Sequence, residues 1–166
     1  FVGDKGDEIA SHTFNYKLGT DIIKSTSFMY YGESQNVAHF AGSDEAMTRS
    51  DTYKGLQTVY IDTLGKETFT QPALLQSKTY FVGDKGDEVA DYTHNYKTGT
   101  DTIKSTSIMF YEGNLRASAA TSEDAMVRSE SFKGSVTDVT PLALQSKTYF
   151  VGDKGDEIAS HTFNYK

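Results

Sequence analysis

The stretch Phe1-Val-Gly-Asp-Lys-Gly-Asp-Glu-Ile-Ala-Ser-His-Thr-Phe-Asn-Tyr-Lys17 returns letter for letter at Phe150–Lys166, and a copy with four differences lies between them at Phe81–Lys97. Fold and organisation both follow from reading this 17-mer. Gly3-Asp-Lys-Gly6 separates Phe1-Val2 from a longer segment, which predicts a hairpin with a type I turn and Gly6 in the left-handed region. Beyond the turn, Ala10, His12, Phe14 and Tyr16 alternate with Ser11, Thr13 and Asn15. The middle copy carries Ala90, Tyr92, His94 and Tyr96 at those places. Aromatic and histidine exchange positions while the face keeps its volume, as expected of a strand with a packed aromatic face. Phe14, Tyr16, Tyr92, Tyr96, Phe163 and Tyr165 are therefore assigned to packing at the joint between repeats.

The likeness extends to both sides. Leu75-Gln-Ser-Lys-Thr-Tyr80 and Leu144-Gln-Ser-Lys-Thr-Tyr149 precede the second and third copies. Downstream, Gly19–Tyr31 matches Gly99–Tyr111, and Ala46–Gly55 matches Ala125–Gly134. Residues 1–80 form repeat unit one and 81–149 unit two, which lacks about ten residues near Ile61–Phe69. Residues 150–166 begin a further repeat identical to 1–17, so the array is expected to continue in a longer parent chain. Asp62-Thr-Leu-Gly65 reads as a turn between short strands at Thr58–Ile61 and Glu67–Thr70.

Within the Gly19 block, Ile23, Ser25, Ser27, Met29 and Tyr31 share one face and are unchanged in unit two. The opposite face varies (Phe28 against Ile108, Tyr30 against Phe110), so the unchanged face is expected to be the more constrained. Ser43-Asp-Glu-Ala-Met47 and Ser122-Glu-Asp-Ala-Met126 carry an N-cap signal for a short helix. The expected fold is all-β: two related antiparallel units in tandem, sandwich- or barrel-like, with six or seven strands each. A unit of this size buries little surface by itself, so strands from the neighbouring repeat are expected to complete it.

Composition supports strands. The apolar fraction is 37%, with 11 Tyr, 10 Phe, no Trp and no Cys. The net charge of −7 is spread evenly, with 7 basic against 10 acidic groups in each of 1–80 and 81–149. An even acidity with no basic patch argues against nucleic acid or an anionic membrane surface as partner. No apolar run approaches the roughly 20 residues of a membrane span, which argues against insertion.

The acidic set Asp4, Asp7 and Glu8 recurs as Asp84, Asp87 and Glu88 and as Asp153, Asp156 and Glu157. Carboxylates beside a glycine turn offer oxygen ligands to Ca²⁺, although the spacing matches no EF-hand loop; a solvated turn is the plainer reading. His12, His94 and His161 sit where Tyr or Phe substitutes, which favours packing over catalysis. No acid, base and nucleophile recur together, so no enzyme and no other cofactor is expected. Arg49-Ser-Asp51 and Arg128-Ser-Glu130 suggest a repeated cross-strand ion pair. The expected function is that of an extracellular or surface tandem-repeat protein, a fibre, stalk, filament or matrix component whose partner is itself. The alternative is a carbohydrate-binding module presenting exposed Tyr, Asn and Asp to glycans.

Overall fold

The computed structural model describes residues 1–61, 67–69, 74–139 and 143–166. The strands are β1 (His12–Tyr16), β2 (Ile23–Tyr31), β3 (Asn36–Val37), β4 (Met47–Lys54), β5 (Val59–Ile61) and β6 (Glu67–Phe69). They continue as β7 (Leu75–Val82), β8 (Val89–Tyr96), β9 (Ile103–Tyr111), β10 (Met126–Lys133), β11 (Leu144–Val151) and β12 (Ile158–Asn164). The fold is all-β, as the alternation requires. One antiparallel sheet runs β1-β2-β4-β7-β8-β9-β10-β11-β12, with β3 on β2, while β5 and β6 pair separately.

The sheet is open, and this corrects the sandwich- or barrel-like expectation. Each strand pairs with its successor in the chain once the small β3, β5 and β6 are set aside, so the chain meanders without returning and leaves β1 and β12 as edges. Units one and two share this sheet, and the cut between Tyr80 and Phe81 falls inside β7. Unit one carries seven strands and unit two four among the described residues, because unit two lacks counterparts of β3, β5 and β6. Asp62–Gly65 lies outside the described residues. Its flanks form the anticipated hairpin, with Val59 opposite Phe69 and Ile61 opposite Glu67.

A single sheet needs cover on both faces, and the connectors supply it. On one face the segment after β4 folds back and is pinned by Thr26, whose hydroxyl donates to Gly55 O (2.8 Å) and accepts from Gln57 N (3.1 Å). Thr106 repeats the pin with Gly134 O (2.8 Å) and Val136 N (3.2 Å). Beneath these segments lie two apolar clusters: Phe28, Tyr30, Tyr53 and Leu75 in unit one, and Ile108, Phe110 and Phe132 in unit two. On the other face the loops after β2 and β9 place Ala38 and Ala117 on Tyr31 and Tyr111, against Ile9 and Val89.

Both faces of β2 and β9 are thus buried, and the varied face holds the deeper side chains, including Phe28 and Ile108 at 2% and 0% exposure. Constancy of the other face follows a specific contact instead. The Tyr31 hydroxyl donates to Ala10 O (2.6 Å) and the Tyr111 hydroxyl to Ala90 O (2.5 Å). Phe and Ile can exchange on a covered face if volume is shared with neighbours, whereas a tyrosine hydroxyl aimed at one carbonyl has no substitute.

The helix expected at Ser43–Met47 and Ser122–Met126 is a tight turn in each case. Gly42 N donates to Glu45 Oε2 (3.0 Å), and Thr121 N donates to Asp124 Oδ2 (2.7 Å). These acidic side chains close the turn where the serines were expected to cap it, Ser122 Oγ donating to Asp87 instead, and β4 and β10 begin before a second turn can follow.

Candidate functional site: the joint and the buried charge ladder

The 17-mer builds the joint between units. In its internal copy Phe81 and Val82 close β7, the turn follows, and Val89–Tyr96 is β8. β8 pairs with β7 on one side, Thr93 opposite Thr79, and with β9 on the other, Thr93 opposite Ser107. The turn is framed by Asp87 N donating to Asp84 O (2.9 Å), with Gly86 third in line at φ +88°. A positive φ there is the requirement of a type II turn, one residue later than the expected frame.

Glu88 does two things at once. Oε2 accepts from Gly86 N (3.0 Å), closing the turn, and Oε1 accepts from Met47 N (3.0 Å), docking the turn on the start of β4. Glu157 repeats both contacts, with Gly155 N (3.0 Å) and Met126 N (3.2 Å). Backbone N–H groups of Glu157 itself, Met126 and Gly155 hold its carboxylate below the usual range. Glu8 has the turn contact with Gly6 N (2.9 Å), and among the described residues no donor meets its other oxygen. Asp87 Oδ1 accepts from Ser122 Oγ (2.6 Å), and the Lys85 ammonium donates to Ser43 O.

Of the proposed calcium ligands, then, Glu88 and Glu157 spend their oxygens on backbone N–H groups and Asp87 on a serine hydroxyl. Asp4, Asp7, Asp84, Asp153 and Asp156 stand on exposed turns, and among the described residues no three His, Cys, Asp or Glu gather at metal-binding distances. The aromatic assignments divide by position. Tyr92 and Tyr96 in β8 are partly buried, and Tyr92 stacks on Tyr80 with ring centroids 4.6 Å apart. Tyr16, Phe163 and Tyr165, on the outer copies, are about half exposed, while Phe14 is half-buried.

The histidine and aromatic swap preserves one geometry. His12–Phe14, Tyr92–His94 and His161–Phe163 are edge-to-face ring pairs with centroids 5.0, 5.0 and 5.2 Å apart. Only His94 of the three is buried, with Nδ1 3.0 Å from Thr106 Oγ1. That hydroxyl already donates to Gly134 O, so it accepts from His94 Nδ1–H. Burial, with a smaller contribution from Lys78, pushes the imidazole below its ordinary value.

Beside these rings runs a buried charge ladder. Arg49 Nε lies 2.8 Å from Asp51 Oδ1, and Lys78 Nζ lies 3.6 Å from Oδ2. Unit two matches it: Arg128 Nε is 3.0 Å and Lys147 Nζ 2.8 Å from Glu130 Oε1. The Arg–acid pair therefore runs along one strand, two residues apart on one face, correcting the cross-strand expectation; the cross-strand partner is the lysine of β7 or β11. Arg49 also covers the Tyr30 ring at 4.0 Å and Arg128 the Phe110 ring at 4.1 Å. Gln35 and Asn114 accept from the two guanidiniums, both from left-handed backbone.

Asp51 and Glu130 are each 2% exposed. Desolvation raises the Asp51 carboxyl above its ordinary value and outweighs Arg49 and Lys78, which pull it down. Burial, reinforced by Asp51, raises the Tyr30 hydroxyl, and burial and Asp51 push Tyr53 up to about 12. The lysines were missed in the sequence, although Gln-Ser-Lys-Thr-Tyr places one at the same position before each joint.

Comparison with known proteins returns no matching family model, no matching curated protein and no matching solved structure. No helix among the described residues is long and apolar enough to cross a membrane.

Proposed function

We propose that this chain is a structural or adhesive tandem-repeat protein, in which each 17-mer welds two units into one sheet. The observation that carries the reading is β8, hydrogen-bonded to unit one through β7 and to unit two through β9. An element shared in this way transmits load between units through backbone ladders instead of a flexible linker. Docking of Glu88 on Met47 fixes how the joint turn sits on unit one, while the buried charge ladder braces each unit from within. A role as fibre, stalk, filament or matrix component, outside the cell or on a cell or virion surface, belongs to the same proposal.

Small-angle scattering on chains carrying one, two and three copies of the 1–149 segment tests it. Eight strands per copy at ~4.8 Å spacing lengthen a continuous sheet by about 38 Å each time. A maximum dimension that does not grow in such steps sinks the reading. A carbohydrate-binding role has one observation in its favour, a solvent-open groove where Gln35, Asp91 and the stacked Tyr80 and Tyr92 meet. Glycan-array binding abolished by Tyr92→Ala would move the assignment there.

A further inference from the structure

We infer that copies of this chain stack rim to rim, the lysine-lined strand ends of one sheet docking on the acidic turns at the opposite strand ends of the next. The inference rests on the tandem-sheet reading and adds how one sheet meets another.

The charge that is even along the sequence is divided across the sheet. Because the chain meanders, its connectors gather alternately at the two ends of the strands. One rim holds the segments after β2, β7 and β9, with Glu33, Asp44, Asp84, Glu112 and Glu123 exposed on them. The other holds the segments after β4, β8 and β10, and there Lys24, Lys54, Lys97, Lys104 and Lys133 are exposed. Register lines these lysines up. Lys54 lies opposite Ser25, next to Lys24, and Lys133 lies opposite Ser105, next to Lys104. Lys97 N donates to Thr102 O (2.9 Å), which sets its strand end beside that of Lys104. All ten residues lie on β2 to β10 and their connectors, so the division belongs to the interior of the array.

Neither row is neutralised within its own sheet. Among the described residues no carboxylate forms an ion pair with any of the five lysines, and no cation with any of the five acids. Asp101 shares the lysine rim, while Asp138 is drawn away to Arg116 at 3.5 Å. On the acidic rim the Lys85 ammonium donates to Ser43 O. Like charges on neighbouring strand ends repel. The rims stand seven residue steps apart along β4, about 24 Å at ~3.4 Å each, beyond the ~8 Å over which charges act at physiological salt. They cannot relieve each other within one sheet; between sheets they can.

A second copy is the partner that fits both rims at once. The acidic and lysine rims belong to one chain and share its repeat, so a contact made at one unit is made at every unit along the array. Exposed ion pairs are individually weak, but a row of them on one sheet adds as a multivalent contact. The stack is heterologous and leaves one acidic and one lysine rim free. It therefore grows as an open series along the strand direction, at right angles to the repeats.

Sedimentation of the full chain at low and high salt tests it, with zero-length carbodiimide cross-linking to locate the contact. At ~0.01 M salt, where charges act over ~30 Å, the expected result is oligomers that dissociate at ~1 M, where the range falls to ~3 Å. Amide links are expected between the five lysines and the five acids. They join isotopically light to heavy chains in a mixture, since the rims are too far apart to link within one chain. Lys54→Gln, Lys97→Gln and Lys104→Gln together are expected to abolish association without moving the melting temperature in high salt. Lys5→Gln, Lys85→Gln and Lys154→Gln remove the same three charges from the acidic rim and are expected to leave association intact. A chain that is monomeric at every salt concentration overturns the inference. So does association that survives high salt, links confined to other pairs, or equal loss in both triple variants. Monomers captured by vesicles of anionic lipid would give the lysine rim to a membrane and overturn it too. Each of these outcomes leaves the single-chain sheet reading standing. Particle length in high salt that fails to grow with repeat number sinks that reading whatever the cross-links show.

Discussion

At the residue scale, His94 and Asp51 are the side chains whose burial has consequences in solution. His94 is held below its ordinary titration range by burial. The unfolded chain therefore binds a proton that the folded chain refuses, and stability present above about pH 6.5 falls as the pH drops toward the folded value. Phe14 and Phe163 occupy this register in the outer copies, so His94→Phe is expected to fold and to flatten that slope. Urea melts of both proteins between neutral pH and pH 5 check it, and an unchanged slope in the variant counts against it. Asp51 presents the opposite problem, a carboxylate kept in the core by two cations. Arg49→Met leaves that charge with one partner and is expected to cost about 3–5 kcal/mol. Replacing Arg49, Asp51 and Lys78 together by apolar residues of similar volume is expected to cost less than the single change, because no unpaired charge remains. A triple variant less stable than Arg49→Met would show that the ladder contributes net stability.

At the scale of elements, the joint turn concentrates the constraint. Gly83 has φ +118°, and a Cβ there would stand 2.4 Å from Asp87 O, a backbone atom that cannot swing aside. Gly86 has φ +88° with open space around it. Gly86→Ala should therefore cost about 1–2 kcal/mol, the ordinary penalty for a side chain in left-handed backbone. Gly83→Ala should cost more, since the turn must also open and loosen Glu88 from Met47. Chemical denaturation of the two variants ranks them, and equal losses would mean that the turn relaxes freely. The hairpin was legible in Gly-Asp-Lys-Gly because positive φ at glycine is a local property. The docking of Glu88 was not, since its partner Met47 lies 41 positions upstream and the contact is to a backbone N–H that any residue could supply. The expected helix at Ser43 failed for a related reason: capping residues mark where a turn begins, and the strand that follows decides whether it continues.

At the scale of the molecule, repetition made the all-β organisation readable, while the architecture depended on which faces the connectors cover. Alternation in Ile23–Tyr31 gives a strand with two distinct faces. It does not say whether a second sheet or a folded-back loop hides each one, and here Thr26 and Thr106 pin loops where a sandwich would put a sheet. Nor could three near-identical copies reveal by themselves that one would be core and two would be edge. Position in the array decides that. Val89 and Ile158 occupy the same register of the same motif, yet one is 3% and the other 67% exposed. Val89→Ala removes two methyl groups packed against Tyr111 and Ala117 and is expected to cost about 2 kcal/mol. Ile158→Ala removes more atoms, from a site with a strand on one side only, and is expected to stay within about 0.5 kcal/mol. Melting temperatures of the two variants rank them. A loss at Ile158 equal to that at Val89 would show that burial in this sheet comes from the strand itself and not from its neighbours.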